Sequence, residues 1–231
     1  MLEATRGAFS MLLSGDPALW GIVWISLKTS LLALLLAAPL AVLAGYAIAS
    51  GRFSGRRLLI WLVQAALSLP TVLIGLLLYL LLSRHGPLGG LHWLFTQSGM
   101  VLGQAAIALP LLVAFTLAAV QGADPRFAET AVALGASRWR TMLTVLHEVR
   151  FGVVAALISG FGRVISEVGC ALMVGGNIAG ETRTITTAIA LETSKGEFAQ
   201  GIALGMVLIA LALLMNGALM VLQGDARGSA R

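Results

Sequence analysis

The sequence is short of charged residues and contains a single cysteine. Only 11% of its 231 residues are charged, whereas a soluble domain carries about 25%. This shortage argues against a soluble protein. Cys170 alone cannot form an internal disulfide or a cysteine-based metal cage, and we interpret it as a small apolar residue packed within a membrane helix.

Three kinds of motif are also missing. The histidines His85, His92 and His147 are scattered and lack metal-ligand spacing, so we predict no metal site. No glycine-rich loop of the G-x-x-x-x-G-K-[ST] kind occurs, so the chain cannot bind and hydrolyse ATP by that route. The first residues lack a basic start followed by an apolar core and a cleavage site, so we expect no signal peptide.

Apolar residues, in contrast, make up 58% of the sequence and recur in long runs. A run of about 20 apolar residues is long enough to cross a bilayer as a helix. We therefore predict an all-α, polytopic membrane protein that forms a single transmembrane domain over residues 1–231. We predict about five transmembrane helices, at residues 19–50, 58–82, 100–121, 151–174 and 201–222.

The positive charges are distributed unevenly about these five spans. Nine lie on the side of the long segment before the fourth span: Arg52, Arg56, Arg57, Arg126, Arg138, Arg140, Arg150, Arg227 and Arg231. Four lie on the other side: Arg6, Arg84, Arg183 and Lys195. Because lysine and arginine are enriched in cytoplasmic loops, we predict a cytoplasmic C-terminus and an external N-terminus. The net charge of +5 thus reflects insertion into lipid, and we predict no nucleic-acid partner.

The cytoplasmic segment at about residues 123–149 is polar and helical in its pattern. Apolar residues recur at near-helical spacing in AETAVALGASRWRTMLTVLHEV (128–149), and Gly135 interrupts them. A glycine permits the positive φ that ends one helix, and Ser137 can cap the next. We predict two short helices with a corner at Gly135. From periodicity alone, this segment either lies on lipid headgroups or enters a groove on a partner protein.

The glycine-centred half of the segment resembles the cytoplasmic signature of permease subunits of bacterial ABC importers. That signature reads Glu-Ala-Ala, three residues, Gly, nine residues, Ile, one residue, Leu-Pro. Glu129, Ala131 and Gly135 fall on this pattern, whereas the departures are Thr130, Val145, His147 and Glu148. In the family this segment is the coupling helix, docked on the ATP-binding subunit. The resemblance implies that role for Glu129, Ala131, Gly135, Ala136, Ser137 and Arg138.

Two further stretches resemble the molybdate, sulfate and tungstate branch of these permeases, and the second of them is most similar to the tungstate permeases. They are LSLPTVLIGLLLYLLLSRHGPLG and RVISEVGCALMVGGNIAGETRTITTAIALET. The resemblance implies a type I ABC importer permease fold and import of a tetrahedral oxyanion. The expected cargo is tungstate, with molybdate as the next candidate and sulfate after it. It implies a transport subunit rather than an enzyme, with ATP and magnesium held by a partner. The implied partners are a dimer of ATP-binding subunits, an extracytoplasmic oxyanion-binding protein and a second copy of the chain.

Two ionisable residues, Arg163 and Glu167, fall inside the predicted fourth span. A charge at the bilayer centre costs about 3 kcal/mol on insertion scales, so both side chains should face the protein interior or a water-filled path. Four residues apart on a helix, they share a face and can pair. Such a pair either ties helices together or lines a translocation path. With Ser166 and Gly169 beside them, we predict the path or its gate.

The external segment 175–200 is rich in hydroxyl groups. We assign Asn177, Thr182, Thr184 and Thr186 to this outer loop, which would receive the anion from the binding protein. ITTAIALET within it predicts a short helix at the outer surface. Two other classes of function remain open: an ion-coupled transporter or channel without an ATPase partner, and an intramembrane enzyme, which would need more converging catalytic groups than this single pair.

Overall fold

The computed structural model describes residues 2–228, with side chains described for residues 5–221. Arg231 and the side chain of Arg227, which entered the charge count, lie outside these described residues. A single 3-10 turn spans Gly89–Leu91 within the described chain. The α-helices are α1 (Leu2–Ser14), α2 (Pro17–Ser50), α3 (Arg56–Leu67), α4 (Thr71–Leu82), α5 (Gln97–Gln121), α6 (Arg126–Ala133), α7 (Arg138–Glu148), α8 (Arg150–Ile165), α9 (Gly169–Gly175), α10 (Ile185–Lys195) and α11 (Phe198–Gly228).

The all-α prediction is confirmed, and the long helices match the predicted spans. Three helices of the described chain are long and apolar enough to cross a membrane on their own, namely α2, α5 and the part of α11 at Phe198–Val221. Two bent pairs, α3 with α4 and α7 with α8, raise the number of candidate spans to five if each pair counts as one. The helix α5 is central, since 56% of its most apolar window is buried, against 28% for α2 and 11% for α11.

The predicted second span is two helices that meet at an angle of 97°. The helix α3 ends at Leu67 and α4 begins at Thr71, directly after Pro70. Proline lacks a backbone N–H and disfavours the helical conformation in the residue before it. Pro70 therefore breaks the apolar run, and the prediction of a continuous helix over residues 58–82 was wrong.

The predicted fourth span is also interrupted. The helix α8 ends at Ile165 and α9 begins at Gly169, so Glu167 lies in the break and not inside a continuous helix. The Ser166 hydroxyl donates to the carbonyl oxygens of Gly162 and Arg163 in the last turn of α8. Side-chain hydrogen bonds of this kind compete with the backbone ladder and help to end a helix. The continuous helix predicted over residues 151–174 was therefore wrong.

The main core is built from small residues on α2, α5 and α8. On α2, Ala33, Ala37 and Ala41 recur at every fourth position and are buried, and Gly45 continues the same row. A methyl group at Gly45 would lie 2.8 Å from the Thr116 Cβ atom of α5. Small side chains allow the close backbone approach that drives helix association in lipid. The same cluster includes Ala156 and Val164, so it joins α8 to α2 and α5.

Two smaller clusters complete the interior. Near the N-terminus, Ala8 of α1 packs with Leu19 of α2, Ile185 of α10 and Leu204 of α11. The other cluster joins α4, α5 and α9 around Cys170, which is buried as predicted. A Cβ atom at Gly103 would come within 2.7 Å of the Cys170 sulfur, so the thiol fills the space beside α5.

Candidate functional site

The corner predicted at Gly135 is present. The helices α6 and α7 are joined by a turn in which Gly135 has a φ of +79°, a conformation that residues with a side chain rarely adopt. The Ser137 hydroxyl accepts a hydrogen bond of 3.4 Å from the Arg140 backbone N–H and caps α7. The two short helices, the corner and the cap are therefore confirmed as structure.

This corner presents apolar side chains that nothing in the described chain covers. Leu134 is 83% exposed, and Trp139 and Val132 are each 61% exposed. The inner face of α7 is formed by the buried residues Thr141, Met142 and Val145. Large exposed apolar patches rimmed by polar groups mark interaction sites with proteins or membranes.

The residues predicted to couple the chain to a motor surround this corner. Glu129 and Arg138 are exposed, whereas Ala131 and Ala136 are half-buried. A cavity of about 580 Å³ lies between α6 and α7, lined among others by Phe127, Ala131, Leu134 and Ala136. Of the residues predicted to couple, Ala131 and Ala136 line this concave, largely apolar surface, whereas Glu129 and Arg138 line neighbouring clefts.

The predicted intramembrane ion pair is formed. Arg163 Nη1 donates to Glu167 Oε2 at 3.0 Å, with the Arg163 side chain 41% exposed and that of Glu167 only 2% exposed. The other carboxylate oxygen of Glu167 accepts from the Cys170 backbone N–H at 3.1 Å. Glu167 therefore binds the first turn of α9 while it neutralises Arg163 in the last turn of α8.

The two neighbours of this pair have different local roles. The Ser166 hydroxyl already donates to the backbone of α8. Gly169 lies against α4, where a Cβ atom would approach Val72 Cγ2 to 2.5 Å. Gly169 therefore permits the close contact of α9 with the start of α4, and through it the placement of Glu167.

The predicted outer hydroxyl groups turn inward. Thr182, Thr184 and Thr186 are all buried. Thr182 donates to the Gly175 carbonyl at 2.5 Å and accepts from the Ile178 N–H. Thr184 caps α10 through a reciprocal pair of hydrogen bonds with Thr187. These hydroxyls therefore hold the segment together and are not free to contact a ligand.

One outer hydroxyl connects directly to the ion pair. Thr186 Oγ1 donates to the backbone carbonyl of Glu167 at 2.6 Å. The start of α10 is also tied to α2, because the Ile185 N–H donates to the Ser26 hydroxyl at 2.7 Å. The structure thus joins the outer segment to the α8–α9 break, whereas the α6–α7 corner is separated from the start of α8 by the helix α7.

Asn177 forms a tight turn with the glycine before it. Gly176 and Asn177 have φ values of +71° and +54°, and asparagine tolerates this region better than most residues. The Asn177 amide nitrogen donates to the Thr187 carbonyl at 3.4 Å. Its Oδ1 atom is buried without a hydrogen-bond partner in the described chain. Asn177 therefore shapes the turn that starts the outer segment.

Two polar contacts were not anticipated from the sequence. Lys28 Nζ donates to Gln97 Oε1 at 2.9 Å, and Gln97 Nε2 donates to the Glu181 carbonyl at 2.8 Å. Glu192, which is 4% exposed, pairs with Lys195 at 3.0 Å. A lysine within an apolar run was the only signal for the first contact, and nothing in the sequence marked Glu192 as buried.

Comparison with known proteins assigns this arrangement to a family. The family described as "Binding-protein-dependent transport system inner membrane component" matches residues 37–227. The chain is 41% identical over 197 residues to a probable anion ABC transporter permease protein of Haloferax volcanii, covering 83% of this chain and 85% of the relative. It is 36% identical over 216 residues to the tungstate uptake system permease protein TupB of Campylobacter jejuni, covering 94% and 90%.

More distant relatives extend the same pattern. The molybdenum transport system permease protein ModB of Escherichia coli is 32% identical, with 87% of this chain and 90% of the relative covered. A solved structure, described as an amino acid ABC transporter with histidines, has a TM-score of 0.64 at 16% identity, with 95% and 97% of the two chains covered. At this identity the likeness shows the fold alone, and it confirms the predicted ABC permease fold.

These findings confirm the resemblance seen in the sequence. The family is a multi-pass transport component of the inner membrane rather than an enzyme, and its members work with an ATP-binding subunit and a substrate-binding protein. The α-helical fold, the candidate spans and the matches over most of the chain agree. The chain therefore belongs to the family of binding-protein-dependent transport system inner membrane components.

Proposed function

We propose that the chain is the membrane subunit of an ATP-driven importer that moves a tetrahedral oxyanion into the cytoplasm, and that this oxyanion is tungstate. The identity of the cargo is inferred from the order of similarity, taken as sequence identity together with the share of the chain that is covered. Two tungstate permeases are 36% and 33% identical over 94% and 96% of the chain. Three molybdenum permeases are 32%, 34% and 35% identical but over only 87%, 71% and 66% of the chain, and a sulfate permease is 30% identical over 74%.

The charge distribution supports an orientation with the N-terminus outside and the C-terminus in the cytoplasm. The basic loop at Arg52, Arg56 and Arg57 lies at the ends of α2 and α3, on the side of the α6–α7 corner. Arg56 donates to the Ile48 and Ala49 carbonyls, which neutralises the C-terminal end of α2. Clustered arginine at this edge is what the positive-inside rule expects of a cytoplasmic face.

The α6–α7 corner is proposed as the docking surface for the ATP-binding subunits. Leu134 and Trp139 expose apolar surface that a protein groove would bury, and burial of such side chains is worth about 2 kcal/mol each. Arg138 and Glu129 flank that surface with charges that suit a polar rim. Because α7 is followed directly by α8 at an angle of 71°, a push on the corner would reach the ion pair at the other end of α8.

A second copy of the chain is proposed to cover α3 and α4. No residue of α3 is buried, and within α4 only Gly75 and Leu82 are buried. Trp61 and Leu77 are more than half exposed on these two helices. Two copies facing each other would enclose a path between them, and lipid would cover the remaining apolar faces of α2 and α11.

The Arg163–Glu167 pair is proposed as part of the path or its gate. The half-exposed guanidinium supplies positive potential for an anion, and the buried carboxylate limits how tightly the anion is held. Ser166 and Gly169 keep the break open between α8 and α9. Asn177, Thr182, Thr184 and Thr186 hold the outer segment that the binding protein would contact, so most discrimination among oxyanions falls to that protein.

Uptake of competing oxyanions tests this proposal. Cells that lack the chain are supplied with radiolabelled tungstate, molybdate or sulfate, each at the same low concentration. Tungstate uptake is expected to fall most and to return when the chain is restored together with its ATP-binding subunit. A selective loss of molybdate or sulfate uptake would reassign the cargo. Uptake that persists without the ATP-binding subunit would favour an ion-coupled transporter or channel.

A further inference from the structure

A cavity of about 400 Å³ lies where the three longest apolar helices begin. Its lining includes Pro17 at the start of α2, Gln97 at the start of α5 and Gln200 near the start of α11. All three helices are candidate membrane spans. The cavity therefore lies at one edge of the apolar layer, and this is the outer edge in the orientation proposed above.

The charge around this cavity is positive. Lys28 and Arg183 line it, and none of the described residues that line it is acidic. The nearby Asp16 carboxylate accepts from the Ala18 N–H and caps α2, while Glu181 contributes its backbone carbonyl to Gln97. The N-termini of α5 and α11 also lie at this cavity, and the positive ends of their dipoles favour a negative charge close by.

The hydrogen bonds of the two cations are incomplete. Arg183 Nε is buried and has no hydrogen-bond partner among the described residues. Arg183 Nη2 reaches the Asn177 carbonyl only at 3.5 Å. Lys28 donates to Gln97, and an ammonium group has three protons to donate. A buried guanidinium donor without an acceptor is costly, so this site favours a ligand that offers acceptor atoms.

The walls of the cavity place it at the level of lipid headgroups. Trp24 is 66% exposed and lines the cavity together with Ile22 and Ile25. Tryptophan is enriched at membrane–water interfaces, where its ring spans the apolar and polar layers. The cavity therefore has an apolar side along α2 and a cationic side at Lys28 and Arg183.

We propose that this cavity binds a tetrahedral oxyanion group through Lys28 and Arg183. Such a group offers several acceptor oxygens and a negative charge, which match the free donors and the helix dipoles. It can come from the phosphate of a phospholipid or from a free oxyanion. The free-oxyanion source rests on the proposed function, whereas the lipid source does not.

Binding to the purified complex of the chain with its ATP-binding subunit tests the proposal. Retained phosphatidylglycerol is measured by native mass spectrometry, and radiolabelled tungstate is measured by equilibrium dialysis without the binding protein. The variant Lys28→Gln/Arg183→Gln is compared with Arg84→Gln, which removes an exposed cation on the same predicted side. We expect the double variant to lose at least about tenfold in affinity for one probe, and Arg84→Gln to keep it.

Each outcome decides the matter. Selective loss of phosphatidylglycerol assigns the site to a lipid headgroup, and selective loss of tungstate assigns it to a free oxyanion. Equal binding of both probes by the wild type and the double variant, or no binding of either probe, overturns the proposal. The charge-preserving variant Lys28→Arg/Arg183→Lys is expected to retain binding. If the double variant fails to fold, Lys28→Gln alone carries the same test, because Lys28 is exposed.

Discussion

Arg163 Nη1 lies 3.0 Å from Glu167 Oε2, and the two side chains differ sharply in exposure, at 41% and 2%. The buried partner is fixed by three neighbours: Arg163 and the Cys170 N–H bind its carboxylate, and Thr186 binds its backbone carbonyl. The exposed partner is held on one side only. Glu167 is therefore the anchored half of the pair, and Arg163 is the half with an exposed face.

Replacing Glu167 with Gln tests this asymmetry. The amide oxygen can still accept from the Cys170 N–H, but the negative charge that limits Arg163 is lost. If Arg163 faces the path, it should then hold the anion too tightly, and oxyanion uptake in proteoliposomes should fall by about tenfold, equivalent to roughly 1.4 kcal/mol. Adding Arg163→Gln should restore part of the rate.

The matched control is Glu192→Gln. Glu192 is also a buried carboxylate in an ion pair, but its partner is Lys195 and it lies on α10 rather than in the α8–α9 break. Its uptake rate should equal that of the wild type. If Glu167→Gln also transports at the wild-type rate with an unchanged basal ATPase rate, the pair is a structural tie and not a gate.

The corner at Gly135 can be tested by adding a side chain. Gly135→Val forces a β-branched residue to adopt a φ of +79°, at a cost of about 1–3 kcal/mol. We expect ATP hydrolysis to continue while ATP-dependent uptake is lost, with membrane insertion unchanged. Insertion is measured by extraction from membranes, and the two rates are measured in proteoliposomes.

The residue Gly196 offers a control with the same backbone strain. It has a φ of +80° after the end of α10, and a Cβ atom added there, as at Gly135, would meet no other atom within 4 Å. Gly196→Val should destabilise the chain by a similar amount but leave uptake coupled to ATP hydrolysis. Equal uncoupling by both variants would mean that general destabilisation, and not the corner, causes the defect.

The hydroxyl of Thr186 should contribute to stability through its bond to Glu167. Thr186→Val preserves shape but leaves a buried carbonyl without its donor, which costs about 1–3 kcal/mol. The comparison is Thr116→Val, because the Thr116 hydroxyl is buried without a partner in the described chain. Thermal unfolding in detergent should show a lower midpoint for the first variant and an unchanged or higher midpoint for the second. The reverse order would contradict the hydrogen-bond assignment.

Close packing of α2 on α5 predicts a position-dependent effect of added methyl groups. At Gly45 a Cβ atom would lie 2.8 Å from Thr116 Cβ and 3.0 Å from the Val113 carbonyl oxygen. Gly45→Ala should therefore lower the free energy of unfolding by about 1–3 kcal/mol. Gly21→Ala, on the same helix but in open space, should leave it unchanged or raise it. Equal effects at both sites would show that helix propensity, and not contact, decides the outcome.

Much of the site could be predicted because its signals are local. The corner at Gly135 and the cap at Ser137 depend on residues close together in the chain, so a glycine followed by a serine was enough to predict where one helix ends and the next begins. The Arg163–Glu167 contact needed only a spacing of four residues. The two breaks in the helices were missed for different reasons. Pro70 is a known kind of helix breaker, but the apolar run around it is long enough for a membrane span and was therefore read as one helix. The break at Ser166 instead depends on hydrogen bonds to the backbone of α8 and to α10.

The sequence by itself determined that this is an all-α membrane protein with a polar helical corner at Gly135, because hydropathy and backbone preferences are properties of short stretches of chain. Only the tertiary structure decided where the outer threonines point and which cations lack acceptors. Thr186 meets Glu167 across 19 residues, and Lys28 meets Gln97 across 69. Contacts at such separations depend on how the helices pack. Within a membrane a polar side chain must find its hydrogen-bond partners on neighbouring helices, and the sequence around that side chain does not specify them.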